Sequence, residues 1–310
     1  MNPATGTESG TAIGTPLATA RSRWPALALV INAFVWGVSW WPLRQLESRG
    51  LHPLWATVLI YLLAVVAISC WRPAAWRDLA RTPTLWWLVL AAGTTNACFN
   101  WGVTVGDVVR VVLLFYLMPL WAVLLARLLL GEKLRAVTLL RVALALAGAV
   151  IVLWPPDAGT GLKALPLPDT LPEWLGLLGG FSFALNNVML RREAHRPEAA
   201  RALAMFLGGA LVALLVALAL TGQGSVPAIP AAAPGWIGIA VAIAVAYLVG
   251  NLALQYGAAR LPAQTTAVIM LTEVVFASGS ALLLGAGTLT PTVALGGALI
   301  VGAAALAGRG

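Results

Sequence analysis

The stretch from Val108 to Leu130 reads VVRVVLLFYLMPLWAVLLARLLL, and its two charged residues, Arg110 and Arg127, each lie near one end. A helix needs about 20 apolar residues to cross the ~30 Å hydrocarbon core of a bilayer. This stretch meets that requirement and lacks the alternation of polar and apolar residues that is typical of a membrane β-strand. It therefore predicts a transmembrane helix.

Comparable apolar stretches recur along the whole chain. Of its 310 residues, 60% are hydrophobic and 10% are charged, whereas a soluble domain has about 25% charged residues. We therefore predict an all-α polytopic membrane protein with ten transmembrane helices. The predicted spans are Trp24–Arg44, Pro53–Cys70, Thr84–Thr104, Val108–Leu130, Ala136–Trp154, Glu173–Leu190, Leu203–Thr221, Trp236–Gly257, Thr265–Gly285 and Thr292–Gly308.

The basic residues of the loops indicate an orientation. With the N-terminus in the cytoplasm, 13 of the 19 Lys and Arg residues fall on the cytoplasmic side, and four fall on the opposite side, namely Arg44, Arg49, Arg110 and Lys163. Cytoplasmic loops are enriched in Lys and Arg, so we predict that both termini are cytoplasmic. Residues 1–23 have no apolar core and predict a disordered cytoplasmic tail. The net charge of +8 then follows from topology, and no nucleic-acid partner is predicted.

Internal similarity indicates a duplicated chain. At offsets of 155 and 154 residues, Asn96 aligns with Asn251, and Leu-Leu-Leu-Gly at 128–131 aligns with the same tetrapeptide at 282–285. We predict one five-helix repeat at 24–154, a linker at 155–172 and a second five-helix repeat at 173–308. Because five is an odd number, the second repeat enters the membrane in the opposite sense. Inverted repeats of this kind are typical of secondary transporters.

Small residues four positions apart mark the fifth and tenth spans, as Ala143 and Ala147 and as Ala298 and Gly302. This spacing permits close approach of helix backbones. We expect each helix to pack within its own repeat, with a dimer contact as the alternative. We also expect the protein to function as a monomer.

A motif that begins in the fourth span points to a family. It consists of Tyr116-Leu117-Met118-Pro119, Trp121-Ala122, Ala126, Leu130-Gly131-Glu132-Lys133 and Gly148, with Glu273-Val274-Val275-Phe276-Ala277 in the second repeat. The pattern resembles the EamA-type permeases of the drug/metabolite transporter superfamily and, within it, the YddG-type bacterial amino-acid exporters. Val274 stands where many relatives have proline, and Met118 stands where the exporters have tryptophan.

This resemblance covers residues 24–308. It implies a ten-helix fold of two inverted repeats around a central cavity. It also implies export of amino acids, aromatic and other neutral ones among them, or of related small metabolites across the bacterial inner membrane.

Polar side chains inside the spans are candidates for a substrate site, because lipid offers them no partner. Asn96 and Asn100 are four residues apart, as are Asn251 and Gln255, so each pair lies on one helical face. The substrate-binding candidates are Ser39, Trp40, Asn96, Asn100, Trp101, Tyr116, Met118, Phe183, Asn187, Tyr247, Asn251, Gln255 and Glu273, with Asn186 beside Asn187. The alternative roles are hydrogen bonds between helices for the amides and lipid-facing packing for the aromatic residues.

Glu273 lies near the middle of the ninth span, where a charged and unpaired carboxylate is costly. Two functional roles are open: a proton-coupling group, or a partner for the amino group of a substrate. The structural alternative is an ion pair with Arg141 or Arg127. Pro119 removes a backbone hydrogen bond within the fourth span, so we predict a kink there and a role in gating.

The leading hypothesis is a secondary transporter of small molecules that works in the lipid bilayer by alternating access. The sequence has no Gly-x-x-x-x-Gly-Lys-Ser/Thr motif, so ATP hydrolysis is not predicted. An intramembrane enzyme would need paired carboxylates, a Ser/His set or metal ligands within the spans, so we predict no catalysis, no metal and no cofactor. A multidrug-type exporter of organic cations is the main alternative, although the first helices of both repeats lack the acid that its chemistry favours. A membrane scaffold would leave the duplication unexplained.

Overall fold

The computed structural model describes residues 24–130, 136–153, 167–258, 260, 269–270 and 272–307. These residues contain helices and no strand. The predicted tail at 1–23 and most of the predicted linker lie outside the described residues. The helices are α1 Trp24–Val38, α2 Trp40–Glu47, α3 Pro53–Trp71, α4 Ala74–Arg81, α5 Leu85–Val105, α6 Val108–Phe115, α7 Met118–Leu130, α8 Ala136–Leu153, α9 Leu171–Arg192, α10 Glu198–Gly222, α11 Pro234–Ala258, α12 Thr272–Leu283 and α13 Pro291–Ala307.

Five helical stretches of the described chain are long and apolar enough to cross a membrane. They are Trp24–Glu47, Pro53–Trp71, Val108–Leu129, Glu198–Gly222 and Pro234–Gly257. Helices α5 and α9 have 21 and 22 residues, which is also long enough for a span, but their polar residues make them less apolar. The described residues therefore form an all-helical structure with five candidate membrane spans by length and composition.

Two of the five candidate spans are interrupted. The first is divided at Ser39, between α1 and α2, and another is divided at Tyr116 and Leu117, between α6 and α7. Pro119 is the second residue of α7, a position where the missing N–H costs no intrahelical hydrogen bond. The interruption thus precedes the proline, and the proline begins a new helix instead of bending a continuous one. Its predicted role in gating stays a prediction.

The extensive helix contacts join the first half of the chain, α1 to α8, to the second half, α9 to α13. The contacts match when the two halves are exchanged. The contact of α1 with α11 corresponds to that of α9 with α5, and the contact of α3 with α11 corresponds to that of α10 with α5. The contact of α1 with α12 likewise corresponds to the contacts of α9 with α6 and α7. In addition, α3 packs on α10, and α8 packs on α13. The two halves are therefore interlocked, and their shared interior is a natural place for a site.

Helices α8 and α13 meet through glycines. A Cβ added to Gly148 would lie 2.5 Å from the carbonyl oxygen of Gly296, and one added to Gly296 would lie 2.6 Å from that of Gly148. Ala143, Ala147 and Ala298 are exposed instead. The expectation that α8 and α13 pack mainly within their own repeats was wrong, because the close backbone contact crosses from one half to the other.

Candidate functional site

A cavity of about 90 Å³ lies in the interior shared by the two halves. That space has room for several water molecules. Its polar lining consists of Asn32, Tyr61, Thr95, Asn96, Asn186, Asn251 and Glu273. Its other lining residues are Trp36, Ala92, Phe99, Phe115, Phe183, Met205, Phe206, Leu254 and Met270. We call this space the central cavity.

The buried carboxylate of Glu273 is the central cavity's charged group. Glu273 is 8% exposed. The hydroxyl of Tyr116 donates a hydrogen bond to Oε2 of Glu273, and the two oxygens are 3.2 Å apart. The packing is close at this point, since a Cβ on Gly37 of α1 would lie 2.9 Å from the Glu273 carbonyl oxygen. Of the two predicted ion-pair partners, Arg127 is exposed, and the side chain of Arg141 lies outside the described residues.

Aromatic rings form much of the remaining wall. Phe115 contacts Phe99 with ring centroids 4.9 Å apart and Phe183 with centroids 5.3 Å apart. Trp36 stacks on Tyr247 at 4.3 Å. A cavity with a carboxylate on one wall and aromatic faces on others suits an amphipathic or cationic small molecule.

The two predicted amide stripes form hydrogen bonds within the protein. Asn96 lines the central cavity, but its Oδ1 accepts a hydrogen bond from Tyr61 at 2.6 Å and its Nδ2 donates to the Ala92 carbonyl at 2.7 Å. Gln255 donates to Oδ1 of Asn251 at 2.7 Å. Hydrogen bonds within the protein thus account for part of each stripe.

Asn100, the other member of the first stripe, is fully buried. It donates to Oγ1 of Thr57 at 3.1 Å and accepts from the Tyr247 hydroxyl at 3.4 Å. It is not among the residues that line the central cavity. These contacts favour the structural role that we gave as the alternative for the amides.

The structure brings four of the predicted binding residues to the cavity wall: Asn96, Phe183, Asn251 and Glu273. Five more form a layer behind that wall, because each bonds to or stacks on a lining residue or, in the case of Asn100, bonds to Tyr247. They are Ser39, Asn100, Tyr116, Tyr247 and Gln255.

Four predicted residues lie elsewhere in the described structure. Trp40 donates from Nε1 to Ser280 at 2.9 Å. Trp101 lies beside His52 with ring centroids 5.5 Å apart. The last two are Met118, which is partly buried, and Asn187, which is exposed on α9. Consecutive residues of a helix point about 100° apart, and Asn186 is the one that faces the cavity.

Asn32 is one of the lining residues that the sequence prediction missed, as are Tyr61 and Thr95. It is 1% exposed, and its Nδ2 donates to the Gly250 carbonyl oxygen at 2.8 Å. Its Oδ1 has no hydrogen-bond partner among the described residues, and the same is true of Oδ1 of Asn186, also 1% exposed. The available signal was a lone asparagine within the apolar sequence of α1.

One end of the bundle is fastened by a set of polar contacts that we call the clasp: Asp107, Arg110, Glu173 and Thr288. Asp107 accepts hydrogen bonds from the backbone N–H and the hydroxyl of Thr288, at 2.8 and 2.9 Å. Arg110 forms an ion pair with Glu173 at 2.6 Å. The clasp joins the start of α6 to the start of α9 and to the loop between α12 and α13.

A second pocket, of about 530 Å³, lies towards the opposite end of the bundle. The ends of α3, α10 and α11 and the short helix α4 form its walls, and Arg72, Asp78 and Glu198 are its charged lining residues. We call it the end pocket. Phe206 and Asn251 line both this pocket and the central cavity, so the two spaces are neighbours across these side chains.

The helical architecture agrees with the similarity of the chain to known proteins. Residues 23–154 match the family model of the EamA-like transporter family. This part of the chain is similar to that family of transporters. The similarity suggests a membrane transporter of small molecules, and the apolar helices fit a multi-pass membrane protein.

The match to the EamA-like family model spans the predicted first repeat, and similarity of fold extends further. A solved crystal structure, described only as that of a protein, matches with a TM-score of 0.55 and 19% identity. The match covers 91% of this chain and 96% of the other. At this identity the likeness concerns the fold alone. No curated protein matches the chain at a significant level.

Proposed function

We propose that the protein is a secondary transporter that exports amino acids, aromatic and other neutral ones among them, or related small metabolites. The observation that carries this proposal is the central cavity, in which a buried carboxylate and aromatic rings face one space between the two halves. Such a site suits a small substrate with a charged end and an apolar end. The substrate gradient or a coupled ion supplies the driving force.

Two inverted five-helix repeats, at 24–154 and 173–308, form the proposed scaffold, with ten crossings in total. The matching sets of helix contacts support this arrangement, since exchanging the two halves converts one contact pair into another. Inverted-repeat carriers bind substrate at the interface between repeats, near the midplane of the bilayer. The central cavity has that location relative to the two halves.

Alternating access is supported by the difference between the two ends of the bundle. The clasp fastens one end, whereas the other end has the larger end pocket next to the cavity. We place the clasp end outside the cytoplasm, because the more basic loops lie at the other end. The arrangement then corresponds to a state closed to the outside, and export requires the clasp to open.

The experiment that tests this function is counterflow across liposomes that contain the purified protein. The panel consists of radiolabelled neutral, aromatic and charged amino acids and the organic cation tetraphenylphosphonium, at two pH values. We expect transport of at least one amino acid above the level of protein-free liposomes. Transport of the cation alone would favour a multidrug exporter, and transport of neither would overturn the proposal.

A further inference from the structure

Two fully buried hydrogen-bond acceptors belong to residues that line the central cavity. Oδ1 of Asn32 and Oδ1 of Asn186 have no partner among the described residues, and both residues are 1% exposed. A buried acceptor without a partner is unfavourable unless water or a ligand pairs it. The cavity therefore favours a ligand that brings hydrogen-bond donors.

The amide orientation of Asn32 is set by its surroundings. Its Nδ2 donates to the carbonyl oxygen of Gly250 at 2.8 Å. A flipped amide would place two oxygens against each other, so Oδ1 is the atom that remains available. The neighbouring amide of Asn96 differs, because both its oxygen and its nitrogen already bond to protein groups.

We propose that Asn32 is a specificity residue that accepts a hydrogen bond from the ammonium group of the substrate. The proposal rests on the proposed transport function and adds a residue and a rule of selection to it. Glu273 lines the same cavity and supplies the negative charge. A primary ammonium carries three N–H donors and satisfies both requirements, whereas a quaternary ammonium carries the charge without a donor.

The aromatic wall would not make this distinction. Trp36 and Phe115 line the cavity, and aromatic faces attract ammonium groups whether or not they carry N–H bonds. The charge of Glu273 also attracts methylated ammonium groups, although its oxygens accept hydrogen bonds as well. Among the acceptors of the lining, we assign the selection for N–H donors to the unpaired amide oxygen of Asn32, because the bond to Gly250 sets its orientation.

The test measures binding and competitive counterflow with L-phenylalanine and its N-monomethyl, N-dimethyl and N-trimethyl derivatives, on the full-length protein in liposomes. In the wild type we expect affinity to fall as N–H bonds are lost, by about tenfold or more for the trimethyl compound, because a hydrogen bond to a charged group is being removed. Each probe keeps its positive charge, so the series varies the number of donors. Equal affinity of the four compounds for the wild type would overturn the proposal.

The variant Asn32→Leu removes the acceptor, and the preference for L-phenylalanine over its trimethyl derivative should fall about tenfold. Asn32→Ala is a second variant in case the leucine does not fold. Asn187→Leu is the matched control, because Asn187 is exposed on α9 and does not line the cavity. An unchanged preference in both Asn32 variants would overturn the assignment.

Three further outcomes separate this proposal from others. If wild-type transport requires sodium and the Asn32 variants remove that requirement, the acceptors bind sodium and the ammonium assignment is wrong. If no primary amine in the panel is transported or bound, both the amino-acid function and the Asn32 assignment fail. If primary and trimethylated amines are transported equally, the transport function holds and the Asn32 assignment alone fails.

Discussion

The hydroxyl of Tyr116 lies 3.2 Å from Oε2 of Glu273, and this contact joins the two halves of the chain at the central cavity. Tyr116 stands at the break between α6 and α7, and Glu273 stands in the first turn of α12. A movement of either segment would therefore change the surroundings of the carboxylate. The contact gives a physical route by which the charge state of Glu273 can be coupled to the conformation of the bundle.

We predict that Glu273→Gln slows transport at least tenfold and flattens its pH dependence. The carboxylate binds a proton as the pH falls and releases it as the pH rises, whereas glutamine is neutral throughout. A hydrogen bond to a charged group contributes about 1.5–3 kcal/mol, which is enough for this effect. The measurement is the initial rate of counterflow from pH 5.5 to 8.5.

Tyr116→Phe is the companion to that variant, because it keeps the carboxylate and removes its hydrogen bond. We expect it to retain a pH dependence with a shifted midpoint. A pH profile of Glu273→Gln that matches the wild type would make Glu273 a structural residue.

The clasp gives a prediction about conformational change. Asp107 and Thr288 are close enough for direct hydrogen bonds of 2.8 and 2.9 Å, so cysteines at both positions should cross-link readily. If the clasp must open during transport, the disulfide should stop counterflow, and dithiothreitol should restore it. Cys70 and Cys98 are replaced by serine in the background, since both are free thiols.

The single-cysteine variants Asp107→Cys and Thr288→Cys serve as controls for this experiment. They lose the clasp hydrogen bonds but cannot form the covalent link, so oxidation should leave their transport rates unchanged. A cross-linked protein that transports at the rate of its reduced form would show that the clasp end stays closed throughout the cycle.

Polar positions within apolar spans were the part of the site that the sequence could predict. Asn96, Asn251 and Glu273 stand out because a buried polar group in a membrane needs a partner or a cavity, and all three line the central cavity. Asn32 was not predicted because the prediction relied on pairs of amides four residues apart, and α1 has a single asparagine. An unpaired residue of this kind is recognised only once its partners are known.

The aromatic residues were harder to assign. Trp36 and Phe206 line the cavity, whereas Trp40 and Trp101 do not, and nothing in local composition distinguishes a cavity wall from a lipid-facing or packed position. Which face of a helix points inward depends on its neighbours. The contact between α8 and α13 at Gly148 and Gly296 could not be predicted for the same reason, because it depends on how the two halves pack together.

Close glycine packing between the halves predicts a large difference between two identical substitutions. A Cβ on Gly208 would lie 2.0 Å from the Val89 carbonyl oxygen, whereas one on Gly238 would meet nothing within 4 Å. We expect Gly208→Ala to lower the free energy of unfolding by about 1–3 kcal/mol. Gly238→Ala should be neutral or slightly stabilising, because alanine favours a helix over glycine by about 1 kcal/mol. Thermal unfolding in detergent measures both, and equal melting temperatures for the two variants would contradict the close approach of α5 and α10.

The two amide stripes lead to opposite expectations for two alanine variants. Asn100 is fully buried and bonds to Thr57 and Tyr247, so Asn100→Ala should cost about 1–3 kcal/mol of stability by leaving those groups unpaired. Asn251 lines the central cavity, so Asn251→Ala should lower substrate affinity more than it lowers the melting temperature. Measuring binding and thermal unfolding on both variants gives a two-by-two comparison. If Asn251→Ala loses stability while its affinity for the substrate is unchanged, Asn251 is a packing residue like Asn100. Other lining residues of the central cavity then bind the substrate.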